Sequence, residues 1–325
     1  VSIRVATVCL SGRSYQTVEE NRRYVMKLLD LALRQKPDIV CLPEAFTKLG
    51  IKRPLDEVAE EVPGPTTKIV SEKAREAGCY VICPIMTRRD GRFWNSAVII
   101  DRSGEILGIY DKVHPVTSSN DYTVFEDGVT PGEDFPVFKL DFGRIGIQIC
   151  FDICFPEGWR ELSERGARIV FWPSAYNGGF PLQAYAWLNH YFVVSSVRSE
   201  KSRIIDPLGR VLAETDYYVN VITRDISLDY VIAHYDFNFD IPDRIVKAYP
   251  GGVEVRSYAD DAFFIVEPVD RRLTAKRLQD EFRFESAERY FERHRIAYER
   301  MRRGEKPQPQ LAAHGDRPQY SKRDL

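Results

Sequence analysis

Residues 144–157 read RIGIQICFDICFPE. Ile145, Ile147 and Ile149 alternate with Gly146 and Gln148, the two-residue period of a strand, and the run stops at Cys150. A short turn follows, and Pro156, a residue favoured at the first helical position, opens the helix PEGWRELSERG. Two more stretches share this grammar. In DIVCLPEAF (38–46) the apolar run 39–42 ends just ahead of Glu44; in EILGIYDKVHP (105–115) the run 106–110 ends just ahead of Lys112. Open α/β sheets put their sites outside the carboxyl ends of their strands. A carboxylate, an ammonium and a thiol delivered there can converge on one carbonyl carbon, which is equipment for nucleophilic acyl chemistry without a catalytic histidine.

Outward from these stretches the chain alternates. Strand IRVATVCL leads to an amphipathic helix over 17–34, and a second helix is opened by PGPTTKIV. Strands are expected at 80–84, 94–101 and 106–110, the last two forming a hairpin across the turn DRSGE. PVFKL, RIVFWP and YFVVSSV supply further strands, with a helix at PLQAYAWLNH, and SRIIDPLG, RVLAET and YVNVITRDI complete the sheets. Many strands with few helices imply an α/β fold of two face-to-face sheets with helices outside. The polar loop 116–133 is a candidate active-site loop. The catalytic domain is expected over 1–270. A single long charged helix is expected over 271–303, and a Pro/Gln-rich disordered tail over 304–325.

The chain has 325 residues, 44 % of them hydrophobic and 29 % charged, with a net charge of −2. That balance fits a globular protein and points to neither nucleic acid nor a membrane surface as partner. VSIRVATVCL is too short and too alternating for a signal segment, and no run approaches the ~20 apolar residues that span a bilayer. Cys9, Cys41, Cys79 and Cys83 lie in apolar runs and read as reduced core thiols, so a cytoplasmic location is expected. No Gly-rich phosphate loop follows a strand, and no metal-type cluster of His, Cys and Asp is present, so no cofactor or metal is expected.

Cys150 is the expected nucleophile because it directly ends its strand, whereas Cys154 belongs to the turn. Glu44, emerging from a buried strand, is expected to be desolvated and raised in pKa toward a useful general base. Lys112 beside the thiol would favour the thiolate and donate to an oxyanion. Glu126, in VFEDGVTPGE, is a loop acid that gains meaning only beside the other three. His114 is the one histidine close in sequence to these strand ends, so a Cys–His arrangement is weakly supported.

These segments together resemble the nitrilase, or carbon–nitrogen hydrolase, superfamily. The resemblance rests on DIVCLPE, on FWNSAVIIDRSGEILGIYDKVHP and on GRIGIQICFDICFPE, in that order, and runs from Ile3 to Ile226. It implies a four-layer αββα sandwich, a homodimer formed through its helices, and a cofactor-free thioester mechanism. Glu44 would be the general base, Cys150 the nucleophile, Lys112 the oxyanion donor, and Glu126 a positioning acid. Phe151, His114 and Ser174 are the expected substrate-binding residues. Cys154 stands where many amidase-like members have arginine, YAWLN lacks a usual charged pair, and the interval 197–202 is short. Phe151 after the nucleophile favours a small carboxamide or an N-carbamoyl compound over a nitrile as substrate. A catalytically silent scaffold working through the C-terminal helix is the alternative from another class.

Overall fold

The computed structural model describes residues 2–320. It divides into two compact units, one spanning Ile3–Ile226 and the other holding Ser2 and the chain from Ser227 on.

The larger unit contains strands β1 (Ser2–Val8), β2 (Ile39–Cys41), β3 (Tyr80–Arg89), β4 (Arg92–Ile100), β5 (Ile106–Asp111), β6 (Phe138–Leu140), β7 (Gly143–Ile147), β8 (Ile169–Ser174), β9 (Phe192–Val197), β10 (Arg203–Ile205), β11 (Val211–Glu214) and β12 (Val221–Ser227). Its helices are α1 (Val18–Leu33), α2 (Leu55–Val58), α3 (Pro65–Ala77), α4 (Pro156–Glu164) and α5 (Phe180–Asn189). The strands form two six-stranded sheets, ordered β12-β1-β2-β3-β4-β5 and β11-β10-β9-β8-β7-β6. β1, β2 and β3 are parallel, as are β7, β8 and β9, while β4 and β5 on one side and β6 and β10 on the other pair antiparallel.

Each sheet shows one face to the other and one to helices, giving the αββα sandwich. On β1 the residues alternate. Ala6 and Val8 pack with Val25, Leu29 and Ala32 of α1 and Val70 of α3, while Thr7 points the other way and its hydroxyl donates to the Ser195 carbonyl of β9 at 2.6 Å. Ser196 likewise donates across the sheets, to the carbonyls of Val8 (2.8 Å) and Cys41 (3.0 Å). Buried hydroxyls satisfied this way hold the register of the two sheets where an apolar contact would allow slippage. On the far side Trp159 of α4 stacks on Tyr185 of α5 with centroids 4.4 Å apart.

Local sequence sets the element ends. Thr17 and Glu20 form a reciprocal capping box at the start of α1, and Pro156 opens α4. β3 runs five residues beyond its expected end and pairs with β4 through Asp90-Gly91. Both residues have positive φ (50° and 72°), the requirement of a tight two-residue hairpin turn.

The smaller unit departs from expectation. Its sheet, β13 (Val231–His234), β14 (Val253–Tyr258) and β15 (Phe263–Pro268), is antiparallel in the order β13-β15-β14. It packs on α6 (Ile241–Ala248) and α7 (Ala275–Phe282) through Ile241, Ile245, Phe264, Leu278 and Phe282. The compact division thus falls at Ile226, where the family resemblance ends, and not near 270. The expected long helix is two, α7 and α8 (Ala287–Arg302). Arg283 takes φ 55° and ends α7, and Ser286 caps α8 by accepting from Arg289 N. Residues 304–320 form no regular element yet are tied down, contrary to the expected disorder. His314 stacks on Phe237 at 4.0 Å, Phe237 N donates to the Gln319 carbonyl (2.8 Å), and Arg317 reaches Asn238 (3.1 Å). The remainder of that expected tail, 321–325, lies outside the described residues.

Candidate active site

Glu44 follows β2, Lys112 follows β5, and Cys150 opens a 3-10 turn (Cys150–Cys154) after β7, so three strand ends from two facing sheets meet. Glu44, Lys112 and Cys150 are 3 %, 1 % and 8 % exposed, which leaves little water to compete for their charges. All three line a cavity of about 530 Å³ together with Glu126, Asn95, Ala175 and Arg198. The loop 116–133 joins it through Val116, Thr117, Ser118 and Asp127 as well as Glu126.

Lys112 Nζ sits between two carboxylates, 3.1 Å from Glu44 Oε1 and in close contact with Glu126 Oε1. Asn95 spans the same pair, its Nδ2 donating to Glu44 Oε1 (2.8 Å) and Glu126 Oε2 (3.0 Å). Glu44 Oε1 is therefore occupied twice, while Oε2 is buried with no hydrogen-bond partner among the described residues. Arg198 Nη2 stands 3.6 Å from that oxygen, outside hydrogen-bond reach. An acceptor held open beside a thiol is what proton abstraction needs.

The charges fix the resting proton positions. Burial pushes Glu44 upward, but the Lys112 and Arg198 charges and the hydrogen bonds from Lys112 and Asn95 carry it below the usual carboxylate value. That reverses the rise expected from desolvation alone. Burial would strip Lys112 of its proton, yet Glu44, Glu126 and Cys150 raise it and keep it an ammonium. Burial and the Glu44 charge push the Cys150 thiol up to about 11, while Lys112, Ser174 and the Ala175 backbone pull it back only in part. The ammonium acts on the thiol in the expected direction and loses to burial. The resting nucleophile is a neutral thiol that shares its cavity with an ionised carboxylate.

The backbone here is shaped for the task. Cys150 has φ 46°, and Ala45 and Glu126 also take positive φ (43° and 41°), conformations that L-residues hold only when their surroundings over-determine them. Asp152 provides that constraint at the nucleophile. Its Oδ2 accepts from Ile149 N (2.8 Å) and Tyr110 Oη (2.7 Å), its Oδ1 from His114 N (2.9 Å), and its carbonyl from Trp159 Nε1 (3.1 Å). Trp172 Nε1 holds the Cys150 carbonyl at 3.0 Å.

Phe151, His114 and Ser174 are not among the residues lining the cavity. His114 Nδ1 lies 2.9 Å from Asp152 Oδ1, and its ring stacks on Phe155 at 3.8 Å, so it braces the turn. Phe151 packs edge-on against Phe155, and Ser174 is buried with its hydroxyl against Cys150. Sequence reasoning does not single out Asn95, Asp152 or Arg198. Asn95 and Asp152 lie inside the quoted motifs as polar residues within apolar runs, a usable signal; Arg198, in SSVRSE, carries none. No group of three His, Cys, Asp or Glu residues that could hold a metal occurs among the described residues, and no helix there is long and apolar enough to cross a membrane.

The family model described as carbon-nitrogen hydrolase matches residues 4–235. The chain belongs to the carbon–nitrogen hydrolase family. Among similar proteins, omega-amidase NIT2-B of Xenopus laevis is 29 % identical over 233 residues, covering 65 % of this hydrolase and 84 % of the relative. Deaminated glutathione amidase of Synechocystis sp. is 30 % identical over 247 residues, 68 % and 90 % of the two chains. Among solved structures, Saccharomyces cerevisiae Nit3, of the nitrilase superfamily, aligns with TM-score 0.61 at 20 % identity over 77 % of this hydrolase and 94 % of Nit3. An amidase from Nesterenkonia sp. aligns with TM-score 0.60 at 20 % identity, over 70 % and 91 %. These two show that the carbon–nitrogen hydrolase shares their fold.

Proposed function

We propose that this hydrolase is a cysteine amidohydrolase that cleaves a small carboxamide through an acyl-thioester and releases ammonia. The observation that carries the reading is the open Glu44 Oε2, buried in one cavity with a neutral Cys150 thiol and the Lys112 ammonium. Relatives about 30 % identical are named omega-amidase and deaminated glutathione amidase, which supports amides over nitriles.

In this mechanism Glu44 Oε2 takes the thiol proton as Cys150 Sγ bonds to the amide carbon. The carbonyl electron pair moves to oxygen, and Lys112 Nζ donates to that oxyanion. Glu126 and Asn95 hold Lys112 and Glu44 in place. As the oxyanion collapses, the C–N bond breaks and the nitrogen leaves as ammonia with the proton from Glu44. Glu44, again ionised, then takes a proton from water as the hydroxide adds to the thioester. Collapse of this second adduct returns the proton to sulfur and frees the acid. A base this weak deprotonates a thiol this basic only in concert with bond formation to carbon, which is the case for an enclosed site.

The test is ammonia release from a panel of small carboxamides, N-carbamoyl amines and nitriles, with intact-mass detection of an acyl adduct on Cys150. A carboxamide that yields ammonia and an adduct of its acyl mass supports the reading. Carbon dioxide released with ammonia from an N-carbamoyl compound, with the carboxamides inert, would replace it. The second copy that the family resemblance implies is supported by α5, where Phe180 and Leu188 are 74 % and 64 % exposed. Sedimentation equilibrium of wild type against Leu188→Glu tests it, a dimer that dissociates in the variant being the expected result.

A further inference from the structure

We propose that Lys48 and Asp127 form a positioning pair for the reaction, an ion pair that ties the segment behind Glu44 to the loop carrying Glu126 and so holds the Lys112 ammonium between its two carboxylates. The inference rests on the amidohydrolase reading above and adds to that site two residues that act through others.

Two stretches of chain build much of the cavity wall. One, 44–52, leaves β2 with the base; the other, the loop 116–133, follows Lys112 and brings back Glu126. Lys48 and Asp127 line the cavity from one stretch each, 79 residues apart. Lys48 Nζ lies 2.9 Å from Asp127 Oδ2. Among the described residues no other hydrogen bond or ion pair joins 45–52 to 116–133. An apolar cluster that includes Ala45, Met86 and Val129 spans them too, but apolar contact has no direction and fixes no register.

Both ends of the pair sit on strained backbone. Glu126 and Asp127 take consecutive positive φ (41° and 62°), and Ala45, whose carbonyl accepts from Lys48 N at 3.0 Å, has φ 43°. Such conformations persist only where the surroundings over-determine them. Glu126 is held by Lys112, by Asn95 and by Val116 N at 3.2 Å. Asp127 N donates to Ser118 Oγ (3.0 Å) within the loop, which leaves Lys48 as the side-chain tie from Asp127 to the rest of the wall. The Lys48 side chain is 17 % exposed and has no second acceptor among the described residues, whereas Asp127 is 65 % exposed, so the covered lysine anchors the loop. Lys112 is shared between two acids. When Glu126 recedes, the ammonium settles on Glu44 and leaves the oxyanion position, and a small misplacement of a catalytic group costs much of its effect.

The experiment measures ammonia release by the full chain from propionamide, valeramide and glutaramate, with kcat and KM taken separately. K48M and D127N should each lower kcat by about 3- to 10-fold with KM little changed, the size of one partly exposed ion pair acting on position. Agreement between the two is the discriminating feature. K48M takes a positive charge from the wall and D127N a negative one, so a direct charge effect on substrate or site would move the variants in opposite directions, while loss of the pair moves them together. K48M/D127N should lose no more than either single variant, because the pair can be broken only once. K48R, which keeps the charge and the reach, should keep most of the wild-type kcat. Opposite shifts, additive losses, K48R as slow as K48M, or a lowered melting temperature with kcat unchanged overturns the assignment and leaves the amidohydrolase reading standing. If wild type releases ammonia from none of these amides and from no other carboxamide of the panel, both readings fall.

Discussion

Tyr110 and Asp152 meet in a 2.7 Å hydrogen bond from phenol to carboxylate, with both side chains buried. Tyr110 stands on β5, two residues before Lys112, and Asp152 lies in the turn, two residues after Cys150. One bond therefore ties the strand that delivers the ammonium to the turn that delivers the thiol. It also explains why burial and the neighbouring Asp152 raise the Tyr110 phenol, which stays a donor throughout the working range.

Asp152→Asn should separate that tie from the chemistry. Asparagine keeps one acceptor oxygen where the carboxylate serves Tyr110, Ile149 and His114. At least one buried donor then loses its partner, a cost of about 1–3 kcal/mol. The expected result is a lower melting temperature by calorimetry together with slower turnover as the Cys150 turn loosens. A variant that melts and turns over like wild type would remove the bond from this account.

The two neighbouring thiols should behave differently. Cys150→Ser is expected to abolish hydrolysis while the protein stays folded, and Cys154→Ser to retain it. Because burial raises Cys150 from about 9 toward about 11, its alkylation by iodoacetamide should keep accelerating beyond pH 9, read peptide by peptide in a mass spectrometer. The same shift carries a stability sign. The folded state holds the proton more tightly than the unfolded chain, so Cys150 costs stability as pH rises from about 9 to about 11. An alkylation rate that levels off near pH 8 would show a preformed thiolate and count against Glu44 as the base.

Glu44→Gln removes the open acceptor and keeps the shape. Turnover should fall by about 10²–10⁴-fold, the usual contribution of a general base. Any acyl-enzyme that forms should persist, visible as a longer-lived adduct on Cys150. In wild type the Glu44 carboxyl lies below its ordinary 4.5, so the acid limb of kcat/KM should fall below that pH. By linkage, the stability its ion pairs contribute is present above 4.5 and is lost as pH falls through the lowered folded value. An acid limb near pH 6 would assign the base to another group.

The parts legible in the sequence share one physical property, a local pattern. Strand period, turn residues and caps predict β2, β5, β7, α1 and α4, and with them the three strand ends that carry Glu44, Lys112 and Cys150. What was not legible depends on contacts far apart in sequence. Asn95 matters because β4 places it 2.8 Å from a carboxylate 51 residues away. His114, expected to bind substrate, has its ring against Phe155 and Asp152, contacts that no local pattern reveals. The break between α7 and α8 turns on one residue, Arg283, in a conformation that propensity does not favour. The desolvation expected at Glu44 is present, but the Lys112 charge and then the Arg198 charge outweigh it, and no local pattern reveals where either stands relative to Glu44.

Asn95 offers the most discriminating variant, because it touches both carboxylates and neither the thiol nor the ammonium directly. Its Nδ2 donates to Glu44 Oε1 and Glu126 Oε2, and its backbone carbonyl accepts from Lys112 N at 2.9 Å. Alanine leaves the backbone bond intact and removes the side-chain donor from both acids. Glu44 loses a hydrogen bond that favours its charged form and Glu126 loses a donor, a bond to an ionised acceptor being worth about 1.5–3 kcal/mol, so kcat/KM should fall by about 10- to 100-fold. The acid limb of the profile should move up in pH, since Glu44 then holds its proton more tightly. Asn95→Asp should be worse than alanine, because at working pH it sets a third carboxylate against two others and draws Lys112 away from the oxyanion position. A merely structural Asn95 would lower the melting temperature and leave the acid limb where wild type has it, and that outcome would return the residue to the core.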